Sequence, residues 1–216
     1  MKNVNQVNRR NFIRSSALIT GALGLTAIPY KGIADTLPAE DNRNNVIGPR
    51  DGYTAQVGTL VSMLTWMRTV VLSSAKEMEK EQLDYIHDEK SNSIGAMLLH
   101  LAATERFYQI HTLEGKKWGD WEEKDKQKFD VAMNLGAAAR EKIKGNNLDY
   151  YMSILEETRA YTLAEFKKRD DKWLMNVDEK WYWGPTNNYC KWFHVCEHES
   201  NHNGQIKWIK GRLEKK

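Results

Sequence analysis

Apolar residues recur at intervals of three and four in five segments of the chain, and this spacing is typical of amphipathic helices. Asp51 is the predicted N-cap of the first helix and Ser93 that of the second, which ends near Gly115. The third helix is shorter or bent because Gly136 interrupts its pattern. Thr186 is the predicted cap of the last helix. The five predicted helices cover residues 51–79, 93–113, 122–143, 148–169 and 186–213.

The rest of the chain shows no internal repeat and no alternating strand pattern of useful length. Four long helices in a chain of 216 residues favour an all-α four-helix bundle with a short extra helical segment. The longest irregular stretch, residues 170–185, contains Trp181, Tyr182 and Trp183. We expect these side chains either to line the mouth of a pocket or to cover the end of the bundle.

The composition is that of a folded protein and excludes several classes. Hydrophobic residues make up 41% of the chain and charged residues 28%, which is enough apolar surface for a core. Two cysteines cannot form a disulfide framework. No stretch reaches the roughly 18 unbroken apolar residues of a membrane span, so we expect no stable span in the mature form.

The positive charge of the chain is concentrated at its beginning. Residues 1–34 contain five cations and no acid, whereas residues 35–216 contain 27 Lys and Arg against 29 Asp and Glu. This nearly neutral body argues against a nucleic-acid partner, because phosphate binding requires a cationic face. We expect a small-molecule substrate instead, and a monomer or homodimer.

The first 34 residues resemble a twin-arginine export signal. Arg9 and Arg10 precede Phe12 and Ile13, and a short apolar stretch from Ala17 to Ile28 follows. A small-residue triplet predicts cleavage after residue 34. We therefore predict a signal peptide over residues 1–34, a linker over 35–50, a bundle domain over 51–216, and a periplasmic or other extracytoplasmic location. The alternative is an amphipathic N-terminal helix that stays attached.

Three of the six histidines lie on one stripe of the last predicted helix. The steps from His194 to His198 to His202 each advance by about 400°, so the three side chains share a face. The outer two are about 12 Å apart along the axis, too far to bind one ion together. On spacing alone, a metal pair contains His198 and either neighbour. The alternative is that these are ordinary core or surface histidines.

A third ligand has to come from upstream. The segment 198–202 matches the zinc-peptidase motif H-E-x-x-H, but no histidine follows it and Glu214 lies three turns further along the same helix. His100 is the best candidate because it lies among leucines in the second helix, where an unpaired imidazole is costly. His111 is about 16 Å further along that helix, so it is too far away to bind the same ion as His100. His87 lies in a charged connection, where we expect it to be solvated.

Two segments resemble motifs of the DinB/YfiT-like metalloenzyme family. Residues 98–107, Leu-Leu-His-Leu-Ala-Ala-Thr-Glu-Arg-Phe, resemble the family's second-helix motif, and residues 194–206 resemble its C-terminal motif. Asn203 stands where that motif usually has Arg. The resemblance covers about residues 53–213 and implies a four-helix bundle of this type. It also implies a divalent metal ion on three ligands: His100, His198 and His202. Imidazole ligands suit zinc, nickel or iron, and the sequence does not decide among them.

Three ligands leave at least one coordination position open, which is typical of a catalytic site. Family members include thiol-dependent transferases and a maleylpyruvate isomerase. The resemblance therefore implies a metal-dependent enzyme that activates a thiol, as a transferase, or water, as a hydrolase. Export argues against a cytosolic thiol and makes hydrolysis a competitor. The alternatives are a non-catalytic metal-binding or stress-associated protein and a structural bundle with an empty site.

Four further side chains are candidates for supporting roles. Glu105 lies about 140° from His100 around its helix, so we expect a supporting or structural group rather than a ligand. Arg159 either reaches the pocket to hold an anionic substrate or pairs with a carboxylate. Glu197 is expected in solvent, and Cys196 in the core.

Overall fold

The computed structural model describes residues 44–117 and 119–213. The predicted export signal over residues 1–34 lies outside the described residues, as does the first part of the predicted linker. The helices of the described part are α1 (Ala55–Ala75), α2 (Lys80–Leu83), α3 (Ile94–Tyr108), α4 (Glu123–Asn134), α5 (Gly136–Lys142), α6 (Leu148–Phe166), α7 (Asp171–Met175) and α8 (Asn188–Lys210). A π-helical turn (Gln109–Leu113) continues α3, and the strands β1 (Val177–Asp178) and β2 (Thr186–Asn187) form an antiparallel ribbon before α8.

The long helices α1, α3, α6 and α8 form a four-helix bundle, which confirms the predicted fold class. The side chain of Arg68 in α1 binds Glu199 in α8, and Ser74 further along α1 binds Asn203. Both contacts advance in the same direction, so α1 and α8 are parallel. They lie side by side along one edge of the bundle.

The helices α3 and α8 run in opposite directions. His100 lies beside His202, whereas Tyr108, two turns later in α3, lies beside His194. In a simple up-and-down bundle, which we expected from the sequence, the second and fourth long helices would run the same way, and this expectation is wrong. The reason is the connection over residues 114–147, which carries α4 and α5 back along the bundle, so that α6 begins at the same end as α3. The long helices α1, α3, α6 and α8 therefore run up, down, down and up, in that order.

The predicted N-cap is correct where the capping residue lies next to the helix in the sequence, and it is wrong where the helix end is bound by a residue far away in the chain. Ser93 accepts the backbone N–H of Ala96 at 3.1 Å, as predicted. Asp51 does not cap α1. Thr54 occupies that position, and its hydroxyl donates to the carboxylate of Asp171 in α7 at 2.5 Å.

Two other helix ends involve local backbone constraints. The last helix begins at Asn188 rather than after a Thr186 cap, because Thr186 pairs with Asp178 in the ribbon. The predicted bend in residues 122–143 is a complete break between α4 and α5. It lies at Leu135 and Gly136, where both residues have positive φ angles.

A buried polar layer separates two apolar clusters in the core. One cluster includes Met97, Leu101 and Ile206, and the other includes Leu64 and Trp192. Four charged side chains lie between the two clusters, one from each long helix, and each is no more than 7% exposed: Arg68, Glu105, Arg159 and Glu199. Since two are cations and two are anions, their charges balance within the layer.

The ion pairs of this layer join all four long helices. Arg68 binds Glu105 at 2.7 Å and Glu199 at 2.6 Å, and Arg159 binds the same carboxylates at 2.7 and 2.9 Å. The Thr162 hydroxyl also donates to Glu105 at 2.6 Å. Burial alone would raise the pKa of Glu105, but the guanidiniums of Arg159 and Arg68 lower it to about 2. The carboxylate is therefore ionised at neutral pH.

Among the described residues, α1 is the helix long and apolar enough to cross a membrane by length and composition. Half of its apolar window is buried inside the bundle. It also carries Arg68, whose guanidinium is bound by two carboxylates in the polar layer. These contacts are those of a core helix in a bundle.

We predict that replacing Glu105 with Gln destabilises the fold strongly. The substitution leaves two buried guanidiniums against one carboxylate, and breaking a buried pair in this way costs about 3 kcal/mol of unfolding free energy. Urea unfolding followed by circular dichroism at pH 7 measures the change. Glu157→Gln is the control, because Glu157 forms an exposed pair with Lys128 and its loss costs less than about 1 kcal/mol.

The pH dependence of the same comparison tests the cause. A carboxyl whose pKa falls from 4.5 to about 2 on folding contributes stability above pH 4.5, and this contribution is lost as the pH falls towards 2. The difference between the native protein and Glu105→Gln should therefore shrink over that range. A difference that is constant with pH would show that packing, rather than charge, is responsible.

Candidate metal centre

The structure brings three of the six histidines together where α3 and α8 cross. The ring of His100 lies 4.9 Å from the rings of both His198 and His202, and the latter two are 4.6 Å apart. One nitrogen from each lies within 4.8 Å of the other two. His100 is thus level with the gap between its two partners. That these three bind a metal ion stays a prediction.

Two of the three imidazoles are oriented by carbonyl oxygens. His100 Nδ1 lies 2.8 Å from the backbone oxygen of Ala132 in α4, and His202 Nδ1 lies 3.0 Å from Gln205 Oε1. A carbonyl oxygen only accepts hydrogen bonds, so each Nδ1 carries the proton. The Nε2 lone pairs of both rings are therefore available to an ion, as in metal-binding histidines whose other nitrogen is held by an acceptor.

Burial keeps the three imidazoles neutral. Desolvation, followed by the neighbouring imidazoles, lowers the pKa of His198 to about 3. Desolvation and then His100 lower that of His202 to about 4, although Gln205 opposes the shift. Desolvation also lowers the pKa of His100. Neutral imidazole is the form that binds metal, so the site needs no deprotonation at neutral pH.

The spacing of the donor atoms fits a divalent ion. Two metal–nitrogen bonds of about 2.1 Å at a tetrahedral angle separate the nitrogens by about 3.4 Å. His100 Nε2 and His198 Nε2 are 2.8 Å apart, so a shift of a few tenths of an ångström opens them to that distance. Three nitrogen donors from two rigid helices are a ligand set that suits zinc, nickel and iron.

His194 continues the histidine stripe, but its nitrogens are directed elsewhere. Its Nδ1 is hydrogen-bonded to the Tyr108 hydroxyl at 2.9 Å, and its Nε2 is 3.9 Å from Glu197. Burial, and after it the neighbouring Tyr182, raises the pKa of Tyr108 well above its ordinary range, so the hydroxyl keeps its proton. The structure thus separates the two pairings that helical spacing left open, and His202 rather than His194 joins His100 and His198.

The other two histidines lie away from this cluster. His87 lies in the connection before α3 and is half-buried, with its ring 4.7 Å from the Trp208 ring, rather than solvated. His111 lies in the π-helical turn, with its ring 4.5 Å from that of Phe107. The expectation that neither belongs to the three-histidine set agrees with these positions.

The structure shows where the residues that we expected in supporting roles lie. Arg159 pairs with two carboxylates, so of the two roles expected for it the structure shows the pairing. Glu105, one of these carboxylates, is structural. Glu197 is exposed, as expected, whereas Glu199 is 1% exposed and belongs to the polar layer. Cys196 is half-buried, and burial raises the pKa of its thiol to about 11, so it is a poor nucleophile.

Asn203 replaces the arginine usual in the C-terminal motif, and the structure shows what it contacts. Its side chain is 7% exposed, and Oδ1 accepts the hydroxyl of Ser74 at 2.7 Å. The residue therefore fastens α8 to α1 next to His202. A charged side chain at this position would need a different neighbour on α1.

One hydroxyl near the histidines has no protein partner in the described part of the chain. Thr104 lies one turn after His100 and one turn before Tyr108, on the face of α3 that meets the histidine stripe. Its Oγ1 is buried and makes no hydrogen bond. An unsatisfied buried hydroxyl is costly, and such atoms are common where a ligand or water completes a site.

Comparison with known families decides the classification. A family model described as Mycothiol-S-transferase matches residues 59–214. The chain belongs to the mycothiol-S-transferase family. This is a DinB/YfiT-like family, so the resemblance inferred from the two histidine motifs is confirmed.

The other comparisons add support for the fold. No significant match is found among curated proteins. Among solved structures, the chain is similar to one titled "Crystal structure of the conserved protein of locus from Enterococcus faecalis", with a TM-score of 0.50 and 11% identity. The match covers 69% of this chain and 92% of the other. At this identity the likeness concerns the fold alone.

Several parts of this family member's site were missed by sequence reasoning. Gln205 lies three residues after His202, a spacing that places the two on one face of a helix and provided a usable signal. The backbone oxygen of Ala132 and the hydroxyl of Tyr108 had no such signal, because both reach the histidines from another helix. Arg68 was missed for the same reason.

We predict that His100→Ala, His198→Ala and His202→Ala each lower the metal content of the purified protein sharply. Each removes one of three nitrogen ligands. Gln205→Leu should lower the affinity by about 10- to 100-fold, because it frees the ring of His202. Elemental analysis of protein prepared without a histidine tag, with affinities from chelator competition, provides the measurement.

His194→Ala is the matched control, since it removes an imidazole of the same stripe whose Nδ1 is held by Tyr108. We expect its metal content to stay close to that of the native protein. If His194→Ala empties the site and His202→Ala does not, the ligand pair lies one turn earlier in α8.

Proposed function

We propose that this protein is a metal-dependent S-transferase that joins a small thiol to an electrophile. The observation that carries the proposal is the convergence of one nitrogen from each of His100, His198 and His202, two of these rings having the tautomer fixed by an acceptor on Nδ1. The family name supports a thiol, and specifically a thiol of the mycothiol class, as the group transferred. The metal identity stays open among zinc, nickel and iron.

A divalent ion held there would lower the pKa of a coordinating thiol so that the thiolate is present at neutral pH. The residues of the chain do the rest. The neutral histidines add no positive charge that would need a counter-ion, and the bonds to Ala132 and Gln205 hold two of the rings in position. The thiol proton passes to solvent.

The bond changes of the transfer balance without a further co-reactant. The thiolate sulfur forms a bond to the electrophilic carbon, and the bond from that carbon to its leaving group breaks. For an alkyl halide, the halide departs with the electron pair. Cys196 does not compete as nucleophile, because its thiol is half-buried and protonated at neutral pH.

Hydrolysis by activated water is the competing reaction that the same site permits. Hydrolysis requires no thiol, so an assay without thiol distinguishes the two reactions. A non-catalytic metal-binding role differs from both because neither thiol nor water would be activated.

We predict that the native protein accelerates the conjugation of mycothiol with chlorobimane, a fluorogenic alkyl halide. Activity should be lost on removal of the metal with a chelator and return with one of the three candidate ions. His198→Ala should lower kcat/KM by at least about 100-fold, since it removes a metal ligand. Cysteine and glutathione serve as alternative thiols.

His87→Ala is the control for this assay, because His87 lies in the connection before α3, outside the cluster. Its kcat/KM should match that of the native protein. Thiol-independent release of halide or cleavage of an ester would favour the hydrolase. Full metal occupancy with neither reaction would favour the binding role.

We further propose that the chain is exported, folded, by the twin-arginine route into the periplasm or another extracytoplasmic space, in which case its thiol substrate has to be present outside the cytoplasm. The support is the sequence alone, from the arginine pair to the small-residue triplet that ends at Ala34. Replacing Arg9 and Arg10 together with Lys should trap the precursor in the cytoplasm. Cell fractionation with immunodetection measures this, and normal export of the double variant would contradict it.

A further inference from the structure

Two large aromatic side chains are exposed on the segment that precedes α8. Trp183 is 44% exposed and Tyr182 is 61% exposed, directly after the buried Trp181. Large aromatic rings are costly to leave in water, and exposed apolar patches often mark binding sites. This pair needs an explanation because of its position.

The exposed rings lie next to the metal centre. The ring of Trp183 is 5.0 Å from that of His194, which is 5.3 Å from that of His198. The ring of Tyr182 continues the series at 5.1 Å from Trp183. A row of ring contacts thus leads from a predicted metal ligand out to the surface of the protein.

The segment that carries these rings is held in place by the fold. The ring of Trp181 packs against Tyr108 in the core, and the ammonium group of Lys191 lies 4.1 Å above it. Lys191 in turn binds Asp178 of β1 at 2.9 Å. The ribbon closes the segment on both sides, so the two exposed rings are presented on a supported backbone.

A cavity adjoins Tyr182. It has a volume of about 740 Å³ and is lined by Trp181, Tyr182 and His111 together with Asp178 and four lysines, Lys116, Lys117, Lys180 and Lys191. This volume is within the range of roughly 300–1,000 Å³ that holds small organic ligands. The space beside Tyr182 is therefore large enough for a flat organic molecule, and the four lysines around it favour one that carries negative charge.

We propose that Trp183 and Tyr182 bind the aromatic part of the electrophile and position its reactive carbon towards the histidine cluster. This rests on the proposed transferase function and specifies the class of its second substrate, an electrophile with a flat aromatic or similarly conjugated ring system. The thiol occupies the metal side, and the electrophile rests its aromatic part on Trp183 while its reactive carbon reaches past the edge of the His194 ring to the sulfur. Trp183 acts as a positioning and specificity residue.

The test compares two alkyl halides that undergo the same substitution. Chlorobimane has a flat bicyclic ring system, whereas iodoacetamide has none. For Trp183→Ala we expect the KM for chlorobimane to rise about five- to tenfold, because one or two aromatic contacts are lost. We expect kcat and the KM for iodoacetamide to stay unchanged. Trp183→Phe should restore most of the affinity, because it keeps a ring.

Trp66→Ala is the matched control, since Trp66 is also about half exposed, at 41%, but lies on α1. It should leave both KM values unchanged. Equal effects of Trp183→Ala on the two halides, or no effect on either, would overturn the proposal. Circular dichroism checks that each variant is folded.

A binding measurement separates this inference from the proposed function. Saturation-transfer NMR with 1,3-dinitrobenzene, which carries no leaving group, reports ring binding without turnover. A signal with the native protein that disappears in Trp183→Ala supports the ring-binding surface even if no thiol is transferred, in which case only the transferase function fails. No signal with the native protein overturns the surface, whatever the activity.

Discussion

Four buried charges hold the bundle in the register that its histidines require. The two carboxylates of the polar layer lie close to the metal centre along the chain: Glu199 follows His198 directly, and Glu105 comes five residues after His100. Both carboxylates are bound by the same two arginines, one from α1 and one from α6. A sliding of α3 against α8 would break these bonds as it separated the histidines. The layer is therefore a constraint on the site as well as on the fold.

The polar layer also explains how the three histidines can be held close together where α3 and α8 meet. The charges of the layer are bound by one another and by backbone oxygens, such as that of Leu155 for Arg68, and among the described residues only Glu199 Oε2 of their buried oxygens has no hydrogen-bond partner. The apolar clusters on either side exclude water from the layer. Two rigid helices then present imidazoles at a spacing that needs only a small adjustment to hold an ion.

The site joins two chemically different halves. On one side, His100 and His202 offer nitrogen lone pairs because their other nitrogens are bound to carbonyl oxygens. On the other side, His194 is held by Tyr108 and carries the ring of Trp183. Under the proposed transferase function, the first half would receive the thiol and the second half the electrophile.

The sequence by itself determined what depends on neighbours along one helix. Its apolar periodicity predicted the long helices, Ser93 was a local cap, and the spacing of His198 with its two neighbours limited the metal pair to two choices. Only the tertiary structure decided the directions of α3 and α8, the capping of α1 by Asp171, and the partners of Arg159. These depend on contacts between residues far apart in the chain, which periodicity within a single helix does not contain.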